Sequence, residues 1–157
     1  MIANVVGLFG KMTGAIHFDP QDVASLSAEA EIDVSSISTG NQERDEHLLS
    51  PDFFDAAKYP KITFKTSRVE ATGDNRGKVT ADLTIHGITH PISFEVEVLG
   101  PVKSPFTGKS CIGFRGTTKI NREDYGMKVS YPMEGGGFVV GKDVEITFEV
   151  QADLAAD

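Results

Sequence analysis

The side chains whose types and spacing could do chemistry gather in one stretch, Glu43, Arg44, Asp45 and His47. On a helix Glu43 and His47 share one face, close enough to hold a metal ion or pass a proton. A metal needs further ligands that this pattern does not supply, so a surface pair or a capping role is the simpler account and no metal is assigned. His86 and His90 have the same separation, but Gly87 lies between them and removes the helical geometry that would join two imidazoles; turn hydrogen bonding accounts for both. Asn121, Arg122 and Asp124 form a third polar group beside Tyr125-Gly126. No Gly-x-Ser-x-Gly elbow or Cys-His pairing occurs, and Gly135-Gly136-Gly137, lacking the Lys and helix of a phosphate cradle, reads as a hairpin tip. No catalytic residue is assigned and no cofactor is expected; the expectation is a protein that is not an enzyme.

The first group needs a helix to position it, and the sequence marks both ends of one. Thr39 followed by Gln42 fits a capping box, while Glu43, Asp45 and Glu46 load the early turns with the sign the helix dipole favours. Ser50-Pro51 stops the helix, because a proline biases the residue before it away from helical backbone. Phe53-Phe54 and Tyr59-Pro60 then form an aromatic, turn-rich bridge into the next strand. One short helical segment is expected near residues 41–58, capping an end of a β structure.

Everything around that segment alternates apolar and polar residues with a period of two. Ile16 and Phe18 flank His17; after Asp19-Pro20, Ala24, Leu26, Ala28, Ala30, Ile32 and Val34 share one face, with Ser25, Ser27, Glu29, Glu31 and Asp33 on the other. Ile62 and Phe64 begin another strand, and Gly73 to Gly77 is a hairpin connection into Val79, Ala81, Leu83 and Ile85. Gly87 to Pro91 turns the chain towards Ile92, Phe94, Val96 and Val98, and Pro105 to Gly108 leads into a strand from Ser110 to Ile120. The final strand alternates Val144, Ile146, Phe148 and Val150 with Glu145, Thr147, Glu149 and Gln151.

Successive strands with turns between them and almost no helix predict an all-β, antiparallel barrel or sandwich. Long strands favour the barrel, since closure removes sticky edges. Ala24, Ala28, Ala30 and Ala81 on the inward face, in a chain without Trp, leave room inside for a ligand. A barrel of about eight strands is near the size that holds one small molecule.

At 157 residues, with 39% hydrophobic and 24% charged positions, the chain suits one soluble domain, residues 1–157. A net charge of −8 repels a phosphate backbone, so no nucleic-acid partner is expected. Cys111 has no second cysteine to pair with and is read as a buried strand thiol. No apolar run reaches the ~20 residues of a membrane-spanning helix, so an integral membrane protein is not expected. Met1 to Phe9 lacks a basic leader and a small-residue cleavage site; a cytoplasmic location is expected for the chain as given, or a periplasmic one if an export signal stood upstream.

Several ordered motifs together resemble one family. Ser36-Ile37-Ser38-Thr39, Glu43-Arg44-Asp45-Glu46-His47-Leu48, Asp52-Phe53-Phe54-Asp55 and Tyr59-Pro60-Lys61-Ile62-Thr63-Phe64 are followed by Leu83-Thr84-Ile85-His86-Gly87-Ile88-Thr89-His90-Pro91 and Ile120-Asn121-Arg122-Glu123-Asp124-Tyr125-Gly126. In content, order and spacing they are similar to the YceI-like family across nearly the whole chain. The resemblance implies a lipocalin-like antiparallel barrel that binds a long amphipathic lipid, typically a polyisoprenoid, in its apolar interior, without catalysis. Family members usually open with a further strand carrying Trp-x-Ile-Asp-x-x-His-Ser, whereas this chain opens at Met1 to Gly10, which resembles what normally follows. The family's first strand is therefore expected to be missing, with exposed edges and a homodimer as the consequence.

The expected function is binding of a long-chain isoprenoid-type lipid, such as a polyisoprenoid, an isoprenoid quinone or a fatty-acid derivative, as carrier, store or sensor. Contiguous apolar lining is worth ~25 cal/mol per Å² removed from water, and alternating strands supply it. The lining candidates before the helix are Phe9, Ile16, Phe18, Leu26, Ala28 and Ile32. After it they are Phe53, Phe54, Ile62, Phe64, Leu83, Ile85, Phe94, Phe114, Phe138 and Phe148. Arg44, His47, Asn121 and Arg122 are candidates to contact the polar head, against the alternative that each pins a strand end or loop. Two other classes stay open. One is a small lipid-modifying hydrolase using Arg44, Asp45 and His47, and the other a ligand-free, stress-associated structural protein with a solid core.

Overall fold

A computed structural model describes residues 5–129 and 141–155. Its strands are β1 (Leu8–Phe9), β2 (Met12–Asp19), β3 (Asp22–Asp33), β4 (Ile37–Ser38), β5 (Lys61–Gly73), β6 (Arg76–Ile85), β7 (Ile88–Lys103), β8 (Ser110–Asn121) and β9 (Asp143–Asp153), with one α-helix, α1 (Gln42–Leu49). β2, β3, β5, β6, β7, β8 and β9 form a single antiparallel sheet in that order, and β1 pairs with β4 beside it. Among the described residues β2 and β9 are edges, so the lipocalin-like architecture takes the form of a curled half-barrel.

The curl follows from ring contacts between distant strands. β5 and β9 stand four places apart, about 19 Å in a flat sheet, yet the Phe64 and Phe148 ring centroids are 5.5 Å apart. Phe18 on β2 and Phe114 on β8 are five places apart and meet edge to face at 5.2 Å. The face carrying these rings is therefore concave.

Register puts the expected inward residues on that face. Ile16 lies opposite Ala28, Ala30 opposite Phe64, Phe64 opposite Leu83, Val79 opposite Phe94, Val98 opposite Phe114 and Gly116 opposite Phe148. Directly opposed residues of an antiparallel pair share a face, so one apolar surface runs through all seven strands. The core lies along the central strands, with Val79, Ala81, Leu83, Ile85, Val96, Val98 and Ile112 buried. Cys111 is a buried free thiol whose Sγ–H donates to the Val102 carbonyl at 3.4 Å.

Two local expectations are corrected. Ala24 is exposed, and Val23 is buried in its place. The Asp19–Asp22 turn explains this: Ser25 Oγ accepts from the Asp19 amide and donates to the Asp22 carbonyl, and the alternation resumes only at Leu26. The helix is capped by Asn41, whose side-chain oxygen accepts from the Arg44 amide at 3.1 Å, and not by Thr39. The Gln42 side chain, expected to reach back to the cap, donates forward to Glu46 at 3.2 Å. Helical backbone ends at Leu49, so the segment expected near 41–58 is two turns of helix followed by turns from Pro51 to Lys58.

The β6–β7 hairpin is tighter than the Gly87–Pro91 turn anticipated. Its two central residues, His86 and Gly87, have φ of 55° and 73°, the signature of a type I′ turn. A Cβ at Gly87 would sit 2.6 Å from the Tyr59 ring, so glycine serves here both the backbone and the packing.

Candidate functional site

The concave face sorts the expected lining residues into two layers. Leu26, Ile62, Leu83, Ile85 and Phe114 are buried in the core, and Phe53 is buried apart from it, beside His47. Phe9, Ile16, Phe18, Ile32, Phe54, Phe64, Phe94 and Phe148 are only partly buried, packed over that core and still open on one side. Ala28 is likewise half-buried. Ile146, which the sequence reading passed over, belongs to the second layer; its place in the Val144–Val150 alternation was the available signal. Phe138 lies outside the described residues.

The partly open layer is held by ring packing. Phe94 and Phe148 stack with centroids 5.2 Å apart and an interplanar angle of 20°, and Phe64 lies 6.2 Å from Phe94. Gly116, between their strands, makes the stack possible: a Cβ there would come within 2.7 Å of the Phe94 ring. At the helical end Phe9 meets Phe54 edge to face at 5.8 Å. A contiguous, half-exposed apolar surface of this kind removes hydrocarbon from water without providing any group that could react with it.

The polar candidates are each tied into the fold. Arg44 Nε donates to Thr39 Oγ1 at 2.8 Å and its Nη2 to the Thr39 carbonyl at 2.7 Å. Asp45 Oδ1 accepts from the Thr39 amide at 2.9 Å and from its hydroxyl at 2.5 Å. Together they clamp α1 to the chain just after β4. His47 Nε2 lies 2.9 Å from Asp52 Oδ2, with its ring edge-on to Phe53 at 5.1 Å. Glu43 is exposed. Among the described residues no three His, Cys, Asp or Glu side chains converge as a metal site would require.

The second polar group sits in a 3-10 turn, Arg122–Tyr125, after β8. Asn121 caps it by accepting from the Glu123 amide at 2.9 Å. Arg122 is 4% exposed; its Nε donates to the Gly141 carbonyl at 2.9 Å and its Nη1 to the Met127 carbonyl at 2.5 Å. A buried guanidinium that donates to these carbonyls braces the backbone around the turn. His90 Nε2 lies 2.8 Å from the Asp124 carbonyl oxygen, and its ring meets Tyr125 edge-on at 5.2 Å. His86 instead packs on Tyr59, so the two histidines do not converge.

Tyr125 was not anticipated as a site residue. It is 2% exposed, its hydroxyl has no hydrogen-bond partner among the described residues, and burial, with the nearby Asp124 carboxylate, raises its pKa above the usual 10.0 of tyrosine. An aromatic closing a turn of otherwise charged residues, Arg122-Glu123-Asp124, was the only sequence signal.

Known proteins are similar to this chain in sequence and fold. A UPF0312 protein of Staphylococcus aureus (strain N315) is 41% identical over 155 residues, covering 99% of this chain and 86% of the relative. A crystal structure of the Campylobacter jejuni YceI protein superposes with a TM-score of 0.85 at 32% identity, covering 99% of this chain and 88% of that one. The fold is also that of a polyisoprenoid binding domain from Saccharophagus degradans, with a TM-score of 0.68 at 18% identity over 95% of this chain and 85% of that one. The YceI-like domain model matches residues 1–152. On that match, and on the concave sheet and capping helix that carry its motifs, the chain belongs to the YceI-like family.

Proposed function

We propose that this protein binds a long-chain amphipathic lipid of the isoprenoid type along its concave face and acts as a carrier, store or sensor rather than as an enzyme. The observation that carries the reading is the half-exposed aromatic layer of Phe18, Phe64, Phe94 and Phe148 over a buried aliphatic core. A soluble domain leaves such a surface open at a cost in free energy, which a hydrocarbon tail lying along it would recover. The shared fold with a domain described as polyisoprenoid binding supports the same class of ligand. The polar residues of α1 favour a bracing role over hydrolysis, since Arg44 and Asp45 spend their hydrogen bonds on Thr39.

Mass spectrometry of organic extracts from the purified protein tests this reading. A reproducible co-purifying long-chain lipid, lost on delipidation and regained on incubation with an isoprenoid alcohol, is the expected outcome. Absence of any such lipid together with no uptake of an apolar fluorescent probe would sink it.

A further inference from the structure

β7 changes partner along its length. Its first part, Ile88 to Glu97, pairs with β6, while its pairing with β8 begins only at Val96 opposite Gly116 and runs to Lys103 opposite Ser110. The far part of β8, up to Asn121, pairs with β9. Between Thr89–Glu95 and Thr117–Asn121 the two strands therefore diverge, and the 3-10 turn Arg122–Tyr125 closes the open side through the His90 contact to the Asp124 carbonyl.

This fork is a gap in the wall of the half-barrel. A groove of about 400 Å³ occupies it, within the size range of small-molecule sites. Its lining comes from both faces of the sheet: Ile92 and Ile120, buried on the concave side, and Ser93 and Lys119, exposed on the convex side. Phe94, next to Ile92 and Ser93, carries the aromatic stack of the concave face to the groove's inner edge. Tyr125 lines the same groove, and its buried hydroxyl has no hydrogen-bond partner among the described residues. A buried hydroxyl without a partner costs about 1–3 kcal/mol, so an acceptor brought to it is favoured.

Resting on the lipid-binding reading above, we infer that the β7–β8 fork is the seat of the lipid's polar end. The tail lies along Phe94 and Phe148, and Tyr125 Oη–H donates to an uncharged oxygen, an alcohol or a quinone carbonyl. An uncharged end is specified because the lining carries one carboxylate, Asp124, and one ammonium, Lys119, while Glu123 beside Asp124 is paired with Lys142 at 3.7 Å, so the groove holds no surplus positive charge for a phosphate. Lys119 stands on the outer rim, exposed, and lies opposite Glu145 of β9 in the ladder.

The test uses three probes with one tail, farnesol, farnesene and farnesyl phosphate, on the wild-type protein and on Tyr125→Phe. Wild type is expected to bind farnesol about tenfold tighter than farnesene, the order of one hydrogen bond to a buried donor, and farnesyl phosphate no better than farnesene. Tyr125→Phe is expected to erase the farnesol preference while leaving farnesene binding unchanged, and to fold at least as stably as wild type, since it removes only an unpartnered group. If wild type binds farnesol and farnesene but Tyr125→Phe alters neither, the Tyr125 assignment falls and the lipid-binding reading stands. Tighter binding of farnesyl phosphate than of farnesol overturns the uncharged end. If wild type binds none of the three, this inference fails together with the reading it rests on.

Discussion

Phe94 and Phe148 stack across Gly116, two strands apart and nearly parallel, because the residue between them has no side chain. Gly116→Ala is expected to push the rings apart and to destabilise the fold by about 1–3 kcal/mol, the range for overpacking a tight site. Phe148→Ala, on the edge strand β9, is expected to lose about half of the ~3–5 kcal/mol of a fully buried phenylalanine, and to weaken uptake of an apolar probe more than Gly116→Ala does. Urea unfolding beside probe fluorescence checks both; an unchanged midpoint in Gly116→Ala would show that the rings yield freely.

Arg122 is the buried charge on which the turn after β8 depends. Arg122→Met removes a guanidinium bonded to two carbonyls and leaves those acceptors unmet, with an expected loss of about 3 kcal/mol. Lipid affinity of the folded fraction should stay within a factor of two or so, because the side chain faces backbone rather than groove. Denaturation combined with a ligand titration separates the two readouts, and a large affinity loss at unchanged stability would contradict the bracing role.

Tyr125 predicts a direction in alkali. Its folded-state pKa lies above the unfolded value near 10.0, so the protonated phenol favours the folded state. That contribution is complete below pH 10 and is lost as pH rises from there through the folded pKa. Stability measured by denaturant between pH 9 and 11 should therefore fall less steeply in Tyr125→Phe than in wild type. Identical slopes would count against a buried, titrating phenol.

The two free edges bear on assembly. β2 and β9 each present one unpaired side among the described residues, a surface that β structure rarely leaves open. Light scattering is expected to give twice the mass of one chain, with a second copy paired along an edge. A single-chain mass at micromolar and higher concentrations would refute this.

Much of the concave face could be read from the chain because strand alternation is a local property. The faces of β6, whose inward Val79, Ala81, Leu83 and Ile85 are all buried, needed no knowledge of the partners. Alternation failed at Ala24 because a side-chain-bonded turn shifted the phase just before it. The helix cap was misplaced because Thr39 and Asn41 are both capable oxygens separated by Gly40 at φ 82°, and only the backbone decides which one stands at the helix end. Arg44 and Asp45 were legible as a pair, whereas their shared partner Thr39 was not. The fork was invisible for a deeper reason: where β7 leaves β6 for β8 depends on pairing between strands, which leaves no trace in the pattern of either one.

The order of the sheet also sets an order of assembly. β5 to β8 follow one another both along the chain and across the sheet, through two-residue links at Asp74-Asn75 and His86-Gly87 and a short connection after Lys103. Closing such short loops costs little chain entropy, so this part of the sheet can zip up hairpin by hairpin. The β3–β5 ladder is different: it must wait for the whole excursion through β4, α1 and the Phe53-Phe54 turns to be gathered in. The hydrogen bonds of Thr39 to Arg44 and Asp45 tie down part of that excursion, so slackening them should delay the docking of β2 and β3 more than the formation of the central strands.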